Sequence, residues 1–204
     1  MQTVNEVIAT GKIIGTGKNG LGYSTITMVI RGIKPAIIKF VVGNLDPEIG
    51  IGDNVTVKGY TKAYSYHNEI KDRWISVQYF VAMEIKKNQP DLKERFGVEG
   101  RHYRNTSFQA YIAGVVTNTI ETNDPNWAKL TVKVDGVGED KRPSYITLSY
   151  LLNHRLPEFD YQRGDEVYIS ASISTPQKEL DGKVVNFENL IIEDIVKSEK
   201  KDSE

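Results

Sequence analysis

Hydrophobic and polar positions alternate with period two over most of this chain, and they do so in two successive copies of one order. The first copy runs from about Val7 to Glu84 and the second from about Phe108 to Val196. Each opens with an apolar segment that carries an interior glycine: Val7–Ile14 around Gly11, then Tyr111–Val116 around Gly114. Each continues with two alternating segments, a short irregular break, a Gly-Asp turn and two more strands. The turns are Gly52-Asp53 and Gly164-Asp165.

In the first copy the pattern predicts strands over Tyr23–Ile30, Ala36–Val42, Val55–Tyr66 and Trp74–Ile85. The last two form a long hairpin around His67–Asp72. In the second copy it predicts strands over Phe108–Glu121, Trp127–Val134, Ser144–Leu151, Glu166–Thr175 and Val184–Val196. Five strands with a break between the third and fourth are the sequence shape of an OB barrel. The expected fold is therefore all-β: two tandem five-stranded OB-like Greek-key barrels joined by a short helix and linker. The expected domains are 1–88 and 107–197, with the linker at 89–106 and a disordered tail at 198–204. Within the linker, Pro90–Phe96 suits a short helix stopped by Gly97. The tail has no apolar residue from Lys197 on.

Composition narrows the function. There are no cysteines, which removes disulfides, thiolate nucleophiles and Cys-type zinc sites, and fits a reducing cytoplasm, bacterial or that of an infected host. No segment suits a secretory signal or a membrane span, so no membrane association is expected. The net charge of −1 hides an asymmetry: residues 1–105 carry 15 Lys and Arg against 10 Asp and Glu, whereas residues 106–204 carry 11 against 17. A basic first half is the electrostatic footprint of a nucleic-acid face, and ordinary scatter of surface charge is the alternative source of the same imbalance.

Candidate chemistry is sparse. Gly15-Thr16-Gly17-Lys18-Asn19-Gly20 matches G-x-G-x-x-G, but a strand pattern follows it rather than a helix, and no acidic residue occurs until Asp46. It reads better as a flexible basic loop beside the ligand groove, with Lys18 supplying charge, or as a turn without a ligand. His67, His102 and His154 are isolated, and no nucleophile motif, P-loop or metal pattern is present. No enzyme, cofactor or metal is expected.

The aromatic residues carry the strongest signal. Lys58, Tyr60, Lys62, Tyr64 and Tyr66 alternate, so they share one strand face, opposite Val55, Val57, Gly59 and Ala63. Single strands bind by stacking bases on such rings while cations neutralise phosphates. The expected site joins Lys12, Lys18, Arg31, Lys39, Lys58, Lys62 and Arg73 with the rings of Tyr60, Tyr64, Tyr66 and Trp74; Lys34 could extend it. Tyrosines are also good strand residues whose hydroxyls reach solvent, which leaves a purely structural role open. Secondary candidates are Arg101, Arg104, Trp127 and Lys129, with Lys133, Tyr145, Tyr150 and Lys178 behind them. Trp127 suits a lid over the barrel as well as a stacking ring.

Gly11, the segment Gly52-Asp53-Asn54-Val55-Thr56-Val57-Lys58-Gly59 and the Trp74 strand resemble the single-stranded DNA-binding proteins of the OB class, in particular the phage replication and recombination type. That resemblance implies binding of single-stranded DNA with little sequence preference, in replication, recombination or repair, with proteins of those pathways as further partners. The second copy departs from it: Ala171 stands where Gly59 is, and the half is acidic. The tail departs too, since Lys197, Lys200 and Lys201 dilute its acids. The alternative is an OB-type protein-interaction or assembly module that never touches nucleic acid, whose exposed edge strand could pair with a partner's sheet or self-associate.

Overall fold

The computed structural model describes residues 3–30, 35–70, 72–88, 108–137, 141–152, 156, 158–180 and 183–198. The chain is all-β across these residues. In the first half the strands are β1 (Val4–Lys18), β2 (Ser24–Ile30), β3 (Ala36–Val42), β4 (Asn54–Asn68) and β5 (Arg73–Lys87). In the second they are β6 (Phe108–Glu121), β7 (Trp127–Val134), β8 (Ser144–Leu151), β9 (Glu166–Ser174), β10 (Gln177–Leu180), β11 (Lys183–Asn186) and β12 (Asn189–Lys197). The expected final strand Val184–Val196 is thus two strands, broken at Phe187-Glu188. Pro176 interrupts its partner strand, and the Phe187 N–H donates to the Pro176 carbonyl across the break. The expected linker and helix at 89–106 lie outside the described residues.

The strand order β2-β3-β5-β4-β1 closes through a β1–β2 pairing, and β7-β8-β12-β9 closes through β6, giving two five-stranded barrels of OB-like topology. Alternation decides what faces inward. Ile26, Met28, Ile38, Phe40, Val55, Val57 and Phe80 fill the first interior, and Ile112, Leu130, Val132, Ile146, Leu148 and Leu190 the second.

The repeat extends to individual hydrogen bonds. The Ile13 N–H donates to the Asp53 carbonyl and the Gly52 N–H to the Ile13 carbonyl; Val116, Asp165 and Gly164 repeat both. Asp53 Oδ2 accepts the Gly50 N–H and Asp165 Oδ2 the Gln162 N–H, while Lys87 and Lys197 pair with the two carboxylates at 2.9 and 2.8 Å. Gly52 and Gly164 hold φ of 100° and 97°, which explains glycine in both turns. Bulges fall at corresponding places in β1 and β6, and again in the β4–β5 and β9–β12 ladders.

The barrels share one sheet. The N-terminal part of β1 pairs with β6 from Val4↔Ala113 to Ala9↔Phe108, and Val7 to Ala9 pair at the same time with β4 on the other edge. Where β4 loses its neighbour, the Asn5 amide stands in for the ladder: Oδ1 accepts the Thr61 N–H at 2.9 Å and Nδ2 donates to the Thr61 carbonyl at 2.8 Å. Phe108 packs edge-on against Phe80, which packs on Phe40, so the apolar interior is continuous between the halves.

Candidate functional site

The outer wall of the first barrel is built by cross-strand register. One row across it reads Gly17, Thr25, Val41, Val81, Tyr60; a second reads Gly15, Thr27, Lys39; a third reads Lys12, Val29, Ile37. Beyond Gly59 the hairpin of β4 and β5 continues as an arm. Its outer rungs are Tyr60–Val81, Lys62–Tyr79, Tyr64–Val77 and Tyr66–Ile75. Since Phe80 points into the barrel and Val81 away from it, these rungs prolong the barrel's outer wall. The rings form a ladder: Tyr64 lies 6.1 Å from Tyr66 and 6.0 Å from Tyr79. Tyr64 and Tyr66 are each 42% exposed, a large apolar offering for an outer strand face.

The predicted face of β4 is therefore present, with Val55, Val57, Gly59 and Ala63 buried behind it. Tyr79 belongs to the ladder and was missed. Its alternation with Val77 and Val81 was readable, but not the register that sets it beside Lys62. Lys12, Lys39, Lys58 and Lys62 share this wall. Lys58 stands opposite Glu84, whose carboxyl lies below its ordinary value, held there first by the Lys86 ammonium at 2.7 Å and, more weakly, by Lys58. The charge Lys58 offers a ligand is thus partly compensated.

Three expectations need correction. Trp74 pairs with His67, not with a tyrosine, and so falls on the opposite face of the arm, its ring edge-on to His67 at 5.6 Å. The pleat separates it from Tyr60, Tyr64 and Tyr66. The glycine-rich segment is not a loop over Gly15–Lys18, which pair with β2 as strand; Lys18 opposite Ser24 points to the other side from Lys12 and Lys39. The remaining turn spends its own donors, because Asn19 Oδ1 accepts the N–H groups of Leu21 and Tyr23, and the Asn19 carbonyl accepts that of Gly22. It is a closed turn rather than a phosphate cradle. Tyr150, finally, is fully buried among Phe159 and Tyr161, which pushes its hydroxyl up to about 12.

Arg73 is exposed at the far end of the arm, opposite Asn68. In the second barrel Trp127, Lys129 and Lys133 alternate on the outer side of β7, opposite Leu151, Ser149 and Tyr145. Trp127 stands on the wall, out of phase with the inward Ala128 and Leu130, and does not cap the barrel. Arg31, Lys34, Arg101 and Arg104 lie outside the described residues. Among the described residues no group of His, Asp and Glu is arranged to hold a metal ion.

No family model and no curated protein sequence matches the chain. Solved structures do. The wild-type single-stranded DNA binding protein from Thermus aquaticus superposes with a TM-score of 0.64 at 10% identity, over 100% of this chain and 97% of that one. A deletion mutant of the same protein gives 0.60 at 10% identity, over 97% and 95%. Likeness at this identity is one of fold.

Proposed function

We propose that the chain binds single-stranded DNA with little sequence preference, along the outer wall of the first barrel and the arm. The observation that carries this is the ladder of Tyr60, Tyr64, Tyr66 and Tyr79, threaded by Lys62 and continuous with a wall bearing Lys12 and Lys39. Tyr64 and Tyr66, exposed two residues apart on one strand face, offer bases apolar surfaces to stack on, and the lysines on the same wall can meet phosphates. The fold shared with the Thermus aquaticus protein supports the reading, as does the excess of basic residues in the first half. Binding without chemistry is the expected activity, in replication, recombination or repair, and the phage type is the class the sequence resembles. We treat 1–88 and 107–197 as two domains, the first supplying most of the binding energy.

The test is a fluorescence titration with oligo-dT of about 30 nucleotides, a length matched to two barrels. It is run at low and high salt with a duplex competitor. Saturable binding that weakens steeply with salt and resists the duplex is expected. No binding at low salt overturns the proposal and favours a protein partner for the exposed ladder.

A further inference from the structure

The two barrels brace each other through equivalent positions. β5 pairs with β3 only from Phe40 onward, so the N–H groups of Ile37 and Lys39 lie at an open edge. The second barrel closes it: Thr175 Oγ1 accepts the Ile37 N–H at 3.2 Å, and Glu188 Oε1 accepts the Lys39 N–H at 2.7 Å. In return, β12 pairs with β8 at Ser149, and Gln78 Oε1 of the arm accepts the Thr147 N–H on β8 at 3.0 Å. The parallel pairs Val41↔Val81 and Ser149↔Ile191 fix the correspondence. Lys39 stands to Val41 as Thr147 stands to Ser149, and Gln78 stands to Val81 as Glu188 stands to Ile191. A cap made twice, once by an amide and once by a carboxyl group, belongs to the fold rather than to one side chain's chance contact.

Gln78 also sits where a brace acts on the tyrosine ladder. Its rung with Ala63 lies between the rungs Lys62–Tyr79 and Tyr64–Val77, and its side chain leaves the arm on the face opposite the rings. Half-buried Gln78 therefore ties the back of the ladder to the second barrel, where β4 runs beside β8. On β9 the second barrel repeats neither the rings nor the cations. Counted from the two Gly-Asp turns, the positions that match Lys58, Tyr60 and Lys62 are Ser170, Ser172 and Ser174.

We propose that the second barrel serves strand binding as the support of the arm, with Gln78 the positioning residue that holds the tyrosines in line with the first wall. This rests on that wall and the ladder being the binding surface. A two-stranded hairpin is marginal by itself, so the direction in which the arm leaves its barrel depends on what it leans on. Without the bond the arm spends part of its time out of line with the wall. The apparent affinity then falls with the fraction of molecules still in line. The net worth of one hydrogen bond limits that loss to about two- to tenfold.

The experiment measures the affinity of the full chain for oligo-dT of about 30 nucleotides, at one salt concentration and below the melting transition of every variant. Gln78→Leu should bind about two- to tenfold more weakly than wild type. Thr147→Pro removes the donor at a strand edge, where proline is tolerated, and should reproduce that loss from the other barrel. Gln78→Glu keeps an acceptor, as Glu188 does at the equivalent position, and should restore most of the affinity. In a chain that also carries Tyr64→Ala and Tyr66→Ala, Gln78→Leu should lose most of its cost, because the rings it positions are gone; a merely structural role would keep the cost there. Wild-type affinity in Gln78→Leu or Thr147→Pro, a Gln78→Glu variant as weak as Gln78→Leu, or an undiminished cost in the chain without the two rings overturns the positioning role. The surface still stands in those cases if removal of the two rings weakens binding. Wild-type affinity in the chain that lacks only the two rings overturns the surface itself, and the positioning role with it.

Discussion

At Gly11 and Gly114 an added Cβ would lie 2.4 Å from the Val29 carbonyl oxygen and 2.2 Å from the Lys133 one. Both obstacles are backbone, and both strands are fixed by pairing on either side, so neither can step aside. Gly11→Ala and Gly114→Ala should each destabilise the fold by about 1–3 kcal/mol, the usual cost of overpacking. Gly20→Ala, with nothing within 4 Å, should change it little. Urea unfolding of the three variants checks the contrast. Glu188 makes a second prediction at this scale. Its carboxyl titrates at about 7 when folded, above the ordinary 4.5. Between those values the folded state keeps a proton that the unfolded state has lost. The Glu188 contribution to stability therefore falls as pH rises through that window and levels off above it. Glu188→Gln removes this fall, so the variant should melt above wild type at pH 8 and close to it at pH 5.

The arm turns the pleat into a functional distinction. Tyr64 and Tyr66 stand on the face continuous with the barrel wall, whereas Trp74, more exposed than either, stands on the other. Tyr64→Ala should weaken oligo-dT binding by about 1–3 kcal/mol, the range for loss of a stacking ring. Trp74→Ala should leave affinity within about twofold, since its ring is out of register with the ladder. Equal losses from both would mean that the strand wraps the arm instead of lying on one side. This is also where legibility in the sequence ends. The alternation along β4 specified its two faces, because inward Val55 and Val57 and outward Lys58 and Tyr60 are chemically unlike. Nothing in the composition of β5 specified which of its faces joins which of β4's. That depends on where the hairpin turns and on the irregularity between Lys58 and Gly59, beside exposed Met83. The break at Pro176 was likewise present in the sequence as a residue that cannot continue a ladder. Gln78 and Glu188 left no local signal, because their partners belong to the other barrel.

The joint between the barrels is too well connected for them to behave as beads on a string. Six residues of β1, Val4 to Ala9, pair with β6, so one strand serves two barrels. Phe108 carries the second barrel's first strand into the first barrel's interior, its ring 5.5 Å from Phe80. The reciprocal caps by Gln78 and Glu188 satisfy backbone donors that either barrel alone would leave open. Unfolding one barrel would strip a strand neighbour, part of the apolar interior and several hydrogen bonds from the other. Calorimetry should therefore record a single cooperative transition, with its van't Hoff and calorimetric enthalpies in agreement. Phe108→Ala should lower stability by about 3–5 kcal/mol, the cost of emptying a buried aromatic site. Its effect should appear on that one transition as a whole, because the ring belongs to both interiors. Two resolved transitions in the wild-type chain, with only one of them moved by Phe108→Ala, would instead make the barrels independent folding units. A ligand seated on the first barrel would then stabilise that barrel alone. If the transition is single, saturating oligo-dT should raise its midpoint as a whole, and binding at one wall stabilises the entire molecule by mass action.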